Sequence, residues 1–171
     1  MHNIRKLVIS ALFAALCCVS TMVIQIPSPM SGYINLGDCF VLLSGWVLGP
    51  LYGSLAAGIG SMMADIFTGY AYYAPGTFVI KALVALVAYL VFNALCVFLK
   101  KQTYIARIIS AAAGEGVMIL GYFGYASLLL GKGLAAAASI PGNVVQGVAG
   151  IISSVVVIEI ITKNKLLNRV L

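Results

Sequence analysis

The residues able to do chemistry in this chain are few, and they interrupt apolar sequence. The acids are Asp38, Asp65, Glu115 and Glu159, and Lys81 lies about one turn into an apolar run. A charge within a membrane-length apolar segment is costly and marks a functional position until a partner explains it. Asp38 follows Asn35, Leu36 and Gly37 and reads as the cap that opens a helix. Asp65 and Lys81 flank a tyrosine-rich loop, where they either form an ion pair or contact a ligand. Glu159 has Lys163 four residues on, a helical pair spacing. Glu115 has no partner within its own segment, and Gly114 and Gly116 beside it leave room for a ligand, so it leads the candidates.

Two further groups accompany these charges. Asn143 and Gln146 are three residues apart, on one helical face just after Pro141 and Gly142. Such an amide pair reads a polar heterocycle or bonds a neighbouring helix. The loop 69–76 (GYAYYAPG) holds three tyrosines, which suit an interfacial belt or a lid stacking on a flat ring.

Much chemistry is excluded. His2, the only histidine, is terminal, so no Ser-His or Cys-His pair is available. Residues 131–133 (GKG) lack the rest of a phosphate-binding loop, so this chain does not hydrolyse ATP alone. Cys17, Cys18, Cys39 and Cys96 show no CxxC spacing and read as small buried hydrophobes, so neither a metal nor a cofactor is expected. A transferase holding a metal on Asp38, Asp65 and Glu115 remains a rival, but those acids share no close motif.

The elements that must position these groups are helices in lipid. The chain is 63% hydrophobic and 8% charged, with mean hydropathy +1.11, against about 25% charge in a soluble domain. The apolar runs predict an all-α integral membrane protein, a compact bundle of six spans near 4–26, 37–49, 51–67, 77–99, 104–130 and 134–162 in one membrane domain. Residues 27–35 form a Pro-, Ser- and Gly-rich loop, with Pro27 and Pro29 ending the first span. That span runs on without a cleavage site and is retained, not a signal peptide.

Charge decides the count. The net +6 does not mark nucleic-acid binding, because Arg5, Lys6, Lys100, Lys101, Arg107, Lys163, Lys165 and Arg169 flank apolar runs. A turn at Gly49-Pro50 puts all eight on one side; a mere kink there sends Lys100 and Lys101 across. Six spans with both termini cytoplasmic follow. Span two covers only roughly 20 Å and needs longer helices around it. Small residues at Ala11 and Ala15, Gly49 and Gly53, Ser54 and Gly58, and Ala56 and Gly60 permit close helix approach. The pair on span one is placed for a partner protein.

The residues resemble a known family: the substrate-binding S component of an energy-coupling factor (ECF) vitamin transporter. The resemblance spans the whole chain and is most specific over 33–81, in INLGD (34–38), LGP (48–50), Gly53, Gly58, Asp65 and APGTFVIK (74–81), as in the hydroxymethylpyrimidine/pyridoxine-type subfamily. It implies a binding subunit, not an enzyme, in the cytoplasmic membrane of a bacterium. The vitamin would be taken from outside under a loop lid. Ala11 and Ala15 match the family's AxxxA motif, which implies docking on a transmembrane coupling (T) subunit driven by two ATPases. It also implies a pocket lined by Asn35, Tyr73, Lys81, Glu115, Tyr122, Asn143 and Gln146. The rival outside the family is a stand-alone secondary transporter of a small heterocycle.

Overall fold

A computed structural model describes residues 2–28, 32–100 and 104–163. Pro29, Lys101, Lys165 and Arg169, to which the sequence assigned a helix end and cytoplasmic charge, lie outside the described residues.

Six α-helices alternate in direction: α1 (His2–Val23), α2 (Asp38–Leu48), α3 (Pro50–Phe67), α4 (Ala74–Leu99), α5 (Tyr104–Gly124) and α6 (Ile140–Lys163). One end of the bundle carries the start of α1 and the end of α6. The other carries a two-stranded hairpin, β1 (Gln25–Ser28) and β2 (Gly32–Asn35), together with the 68–73 turn. Among the described residues four segments are long and apolar enough to cross a membrane: Ile4–Val23, Ala74–Leu99, Tyr104–Leu129 and Gly133–Lys163.

Where α1 and α2 meet the hairpin, the structure departs from the expected loop. The helix stops at Val23, because Pro27 cannot extend it: the proline has no N–H to donate, and in a helix its ring would clash with the carbonyl four residues back, that of Val23. Gln25 then pairs with Asn35 and Pro27 with Tyr33 in antiparallel register. A two-stranded ribbon has only edge strands, so the missing N–H of Pro27 is tolerated. At α6 the helix opens at Ile140, with Pro141 in its first turn, where no N–H partner is required. A 3-10 segment, Gly133–Ser139, precedes it, and a π-helical turn, Tyr125–Leu129, continues α5.

The short α2 is the centre of the bundle. Its eleven residues reach about 16 Å, well under the roughly 30 Å of a hydrocarbon core. It packs against α1, α3, α4 and α6, and Val41, Leu42, Leu43 and Ser44 are buried. Gly49, at φ +83°, turns the chain back so that Pro50 opens α3. The positive φ suits glycine, since a Cβ would strain it. Backbones then approach closely: a Cβ at Gly45 would collide with the Ala85 carbonyl, and one at Gly53 with the Ser44 carbonyl. In lipid, where no hydrophobic force joins helices, such approach is what holds them together. The α3–α1 contact uses Gly60 against the Ala14 carbonyl, which leaves Ala11 and Ala15 exposed on the outer face of α1.

Candidate functional site

At the hairpin end a cavity opens among α3, α4, α5, α6 and the hairpin, with about 560 Å³ of empty space including its mouth. Asn35, Tyr73, Lys81, Tyr122, Asn143 and Gln146 all line it.

Its floor is a buried polar chain. The hairpin tucks inward so that Asn35 is buried and α2 begins inside the protein, with Asp38 fully buried. Lys81 Nζ donates to Asp38 Oδ1 in an ion pair. Gln146 Nε2 donates to Asp38 Oδ2 at 2.6 Å, and Gln146 Oε1 accepts the Asn35 backbone N–H at 2.9 Å. Asn35 Oδ1 in turn accepts the Gly37 N–H at 2.9 Å. The chain ties α2, α4, α6 and the hairpin together, and every partner is itself held.

The upper wall is aromatic. Tyr73 meets Tyr122 edge-on at 6.3 Å and Tyr125 at 5.9 Å. Tyr122 donates to Thr77 Oγ1 at 3.1 Å, and Lys81 Nζ lies 5.6 Å from the Tyr122 ring centre. Tyr33, on β2, packs at a tilt against Tyr70, with ring centres 4.7 Å apart, and donates its hydroxyl to Asp65 Oδ1. Burial first, then the Asp65 charge, holds the Tyr33 phenol well above its ordinary range, so it stays a donor.

Three expected pairings are corrected here. Lys81 pairs with Asp38, not with Asp65, because Asp65 sits near the tip of α3 while Lys81 lies deeper in α4, level with the buried start of α2. Asp38 is therefore not a helix cap; Gly37 occupies that position, without a side-chain bond. Glu159 accepts from Arg107 Nη1 at 2.6 Å across the α5–α6 interface, in place of Lys163.

Glu115 lies outside the cavity lining, deeper in the bundle. Its carboxyl is received by α6 where a Cβ on Gly147 would stand 3.3 Å from Oε2 and one on Gly150 3.3 Å from Oε1. Neither Glu115 oxygen has a hydrogen-bond partner among the described residues. Gly114 does not make room for a ligand; it packs against the Val84 carbonyl, at 3.0 Å from where its Cβ would be. Among the described residues no group of three or more His, Cys, Asp or Glu side chains could hold a metal.

The cavity also holds Asp65, which the sequence offered as an ion-pair partner or a ligand contact, and it gathers residues that sequence reasoning passed over: Thr21, Ser28, Gly32, Tyr33, Ser61, Thr77 and Ser139. Ser61 lies four residues before Asp65 on α3, a spacing that could have flagged it. Nothing local marks Ser28, which the hairpin brings in from outside.

The profile of the family described as "ECF-type riboflavin transporter, S component" matches residues 1–163. The chain belongs to this family. S components are transport subunits, not enzymes, and this one is a multi-pass helical membrane protein. The S-component fold also appears in the solved structure of the S component of a bacterial ECF transporter, at TM-score 0.71 and 20% identity over 95% of this chain and 98% of that one. A protein of Pyrococcus woesei, described as "Uncharacterized protein in gap 3'region", is 39% identical over 136 residues, 78% of this S component and 86% of the relative.

Proposed function

We propose that this S component binds a small, flat, polar heterocycle at the hairpin end and delivers it through an ATP-driven coupling module. The observation that supports this is the cavity itself. Tyrosine rings offer ring faces, Asn35, Asn143 and Gln146 offer amides, and Ser28 Oγ, Ser61 Oγ and Asp65 Oδ2 are buried there without hydrogen-bond partners among the described residues. Unpaired buried polar atoms cost about 1–3 kcal/mol each, which a complementary ligand relieves.

The ligand proposed is a single-ring vitamin or precursor of the pyridoxine or hydroxymethylpyrimidine type, as the motifs over 33–81 suggest. Riboflavin is the second reading, favoured by the description of the matching family. Glu115, outside the cavity lining, makes no ligand contact in this reading.

The proposed topology has six spans, the short α2 and α3 being carried within the longer four, in a bacterial cytoplasmic membrane. The terminal end, with Arg107 and Lys163, faces the cytoplasm and the hairpin end faces outward, in accord with the positive-inside rule. The exposed Ala11 and Ala15 then meet a T subunit, which two ATPases drive.

The test is to purify the protein in detergent, identify co-purifying small molecules by mass spectrometry, and titrate pyridoxine, hydroxymethylpyrimidine and riboflavin by calorimetry. Saturable one-to-one binding of one of them is expected. No binding of any, or uptake by this chain alone into liposomes under an ion gradient, overturns the proposal. Replacing Ala11 and Ala15 by Phe should abolish uptake in cells while leaving detergent-phase affinity within about twofold, a change under about 0.5 kcal/mol. Persisting uptake would remove α1 from the docking surface.

A further inference from the structure

Within the cavity the polar atoms divide into those already engaged and those left over. The Lys81 ammonium is turned to Asp38, and Gln146 spends both ends of its amide on Asp38 and Asn35. The hydroxyls of Tyr33 and Tyr122 are given to Asp65 and Thr77. Left over among the described residues on the α3 side are Asp65 Oδ2 and, one turn along the same helix face, Ser61 Oγ, with Ser28 Oγ from the hairpin opening on the same space. Asp65 is 3% exposed and Ser61 1%, so water does not serve them freely.

We propose that Asp65, seconded by Ser61, is the specificity-determining group of the cavity and selects ligands that present a hydrogen-bond donor to α3: an exocyclic amine, a hydroxyl or a ring N–H. This rests on the ligand-binding reading above. The chemistry follows from the geometry. Tyr33 fixes the carboxylate through Oδ1, so Oδ2 is aimed and can only accept. The Lys81 ammonium is held by Asp38, so an acceptor or an anion approaching Asp65 Oδ2 meets a carboxylate and not a free ammonium. A charge-assisted bond to a donor is favoured, whereas a carbonyl or a methylated nitrogen at the same place leaves Asp65 unpaired. Ser61 can donate or accept and completes the contact for a group with both capacities.

Matched ligand pairs test this on the full-length protein in detergent. Each pair differs in one donor group: hydroxymethylpyrimidine and its analogue with the exocyclic amine N,N-dimethylated, pyridoxine and its ring O-methyl ether, riboflavin and its ring N-methyl derivative. For whichever pair binds, the wild type should prefer the donor-bearing member by about 10- to 100-fold, the range of a hydrogen bond to a charged group. Asp65→Asn keeps an oxygen for Tyr33 but presents an amide N–H₂ to the cavity, and should erase or reverse that preference. Tyr33→Phe separates this from a purely structural role. If Asp65 serves only to hold the hairpin, Tyr33→Phe weakens binding more than Asp65→Asn and neither changes the preference, which overturns the proposal. A wild type that prefers the blocked member overturns it too. If no member of any pair binds the wild type, the ligand-binding reading falls first and this one with it; binding without the donor preference sinks this one alone.

Discussion

Replacing Lys81 by Met should destabilise the protein severely, and neutralising Asp38 in the same chain should restore it. Lys81 is 2% exposed and Asp38 0%, so neither charge has water to fall back on. Met has nearly the reach of Lys and already neighbours the ammonium at Met118 Sδ, 3.1 Å away, so the substitution changes charge more than packing. What remains is an Asp38 carboxylate held by Gln146 alone. Stranding one member of a buried ion pair costs about 3–5 kcal/mol, a large part of a typical 5–15 kcal/mol folding stability. Asp38→Asn in the same background removes the stranded charge, and its remaining oxygen still accepts from Gln146. The double variant should therefore lie within about 1–2 kcal/mol of wild type, since a neutral replacement for a buried pair is often nearly free. Unfolding in mixed detergent micelles can be followed by the fluorescence of Trp46, the only tryptophan, which packs against Phe92 and donates to Ser110 Oγ at 3.2 Å. A coupling energy of at least about 2 kcal/mol is expected from the four-member cycle. A Lys81→Met protein within about 1 kcal/mol of wild type, or a double variant no better than the single, would refute the reasoning.

Gly45→Val should prevent a monodisperse protein from forming in detergent, because its Cβ meets the immovable Ala85 carbonyl; Gly116→Ala, with no atom within 4 Å, should leave stability equal or raise it by up to about 1 kcal/mol. Size-exclusion profiles and thermal melts of the two separate the close-packed glycine from the open one. Arg107→Met should cost about 1–3 kcal/mol, a range kept low because the Glu159 side chain is 35% exposed, and Lys163→Ala should cost under about 0.5 kcal/mol in the same unfolding assay. Equal losses would return Glu159 to its sequence neighbour.

The parts legible in the sequence are those that local chemistry dictates. Apolar runs mark helices, and Gly49-Pro50 marks a reversal because glycine tolerates the positive φ and proline suits a first helical turn. Pairing was not legible. Asp65 is nearer to Lys81 in sequence than Asp38 is, yet depth in the bundle decides partners, and depth depends on how far the hairpin draws Asn35 inward before α2 begins. Glu159 likewise had a helical neighbour in reach, but a guanidinium from α5 arrives across the interface. Of the cavity, the residues on helix faces next to conspicuous polar or aromatic groups stood out. Ser28 and Tyr33 did not, since a four-residue strand pair around two prolines carries little periodic signal.

The brevity of α2 has a consequence for where the protein can work. The long helices set how the molecule meets its bilayer, and they can tilt as thickness changes. Asp38, on which the cavity floor hangs, is carried by a helix that lipid does not grip, so the floor is referenced to neighbouring side chains and not to the membrane plane. Such a site travels unchanged between thin and thick membranes, and from membrane to micelle.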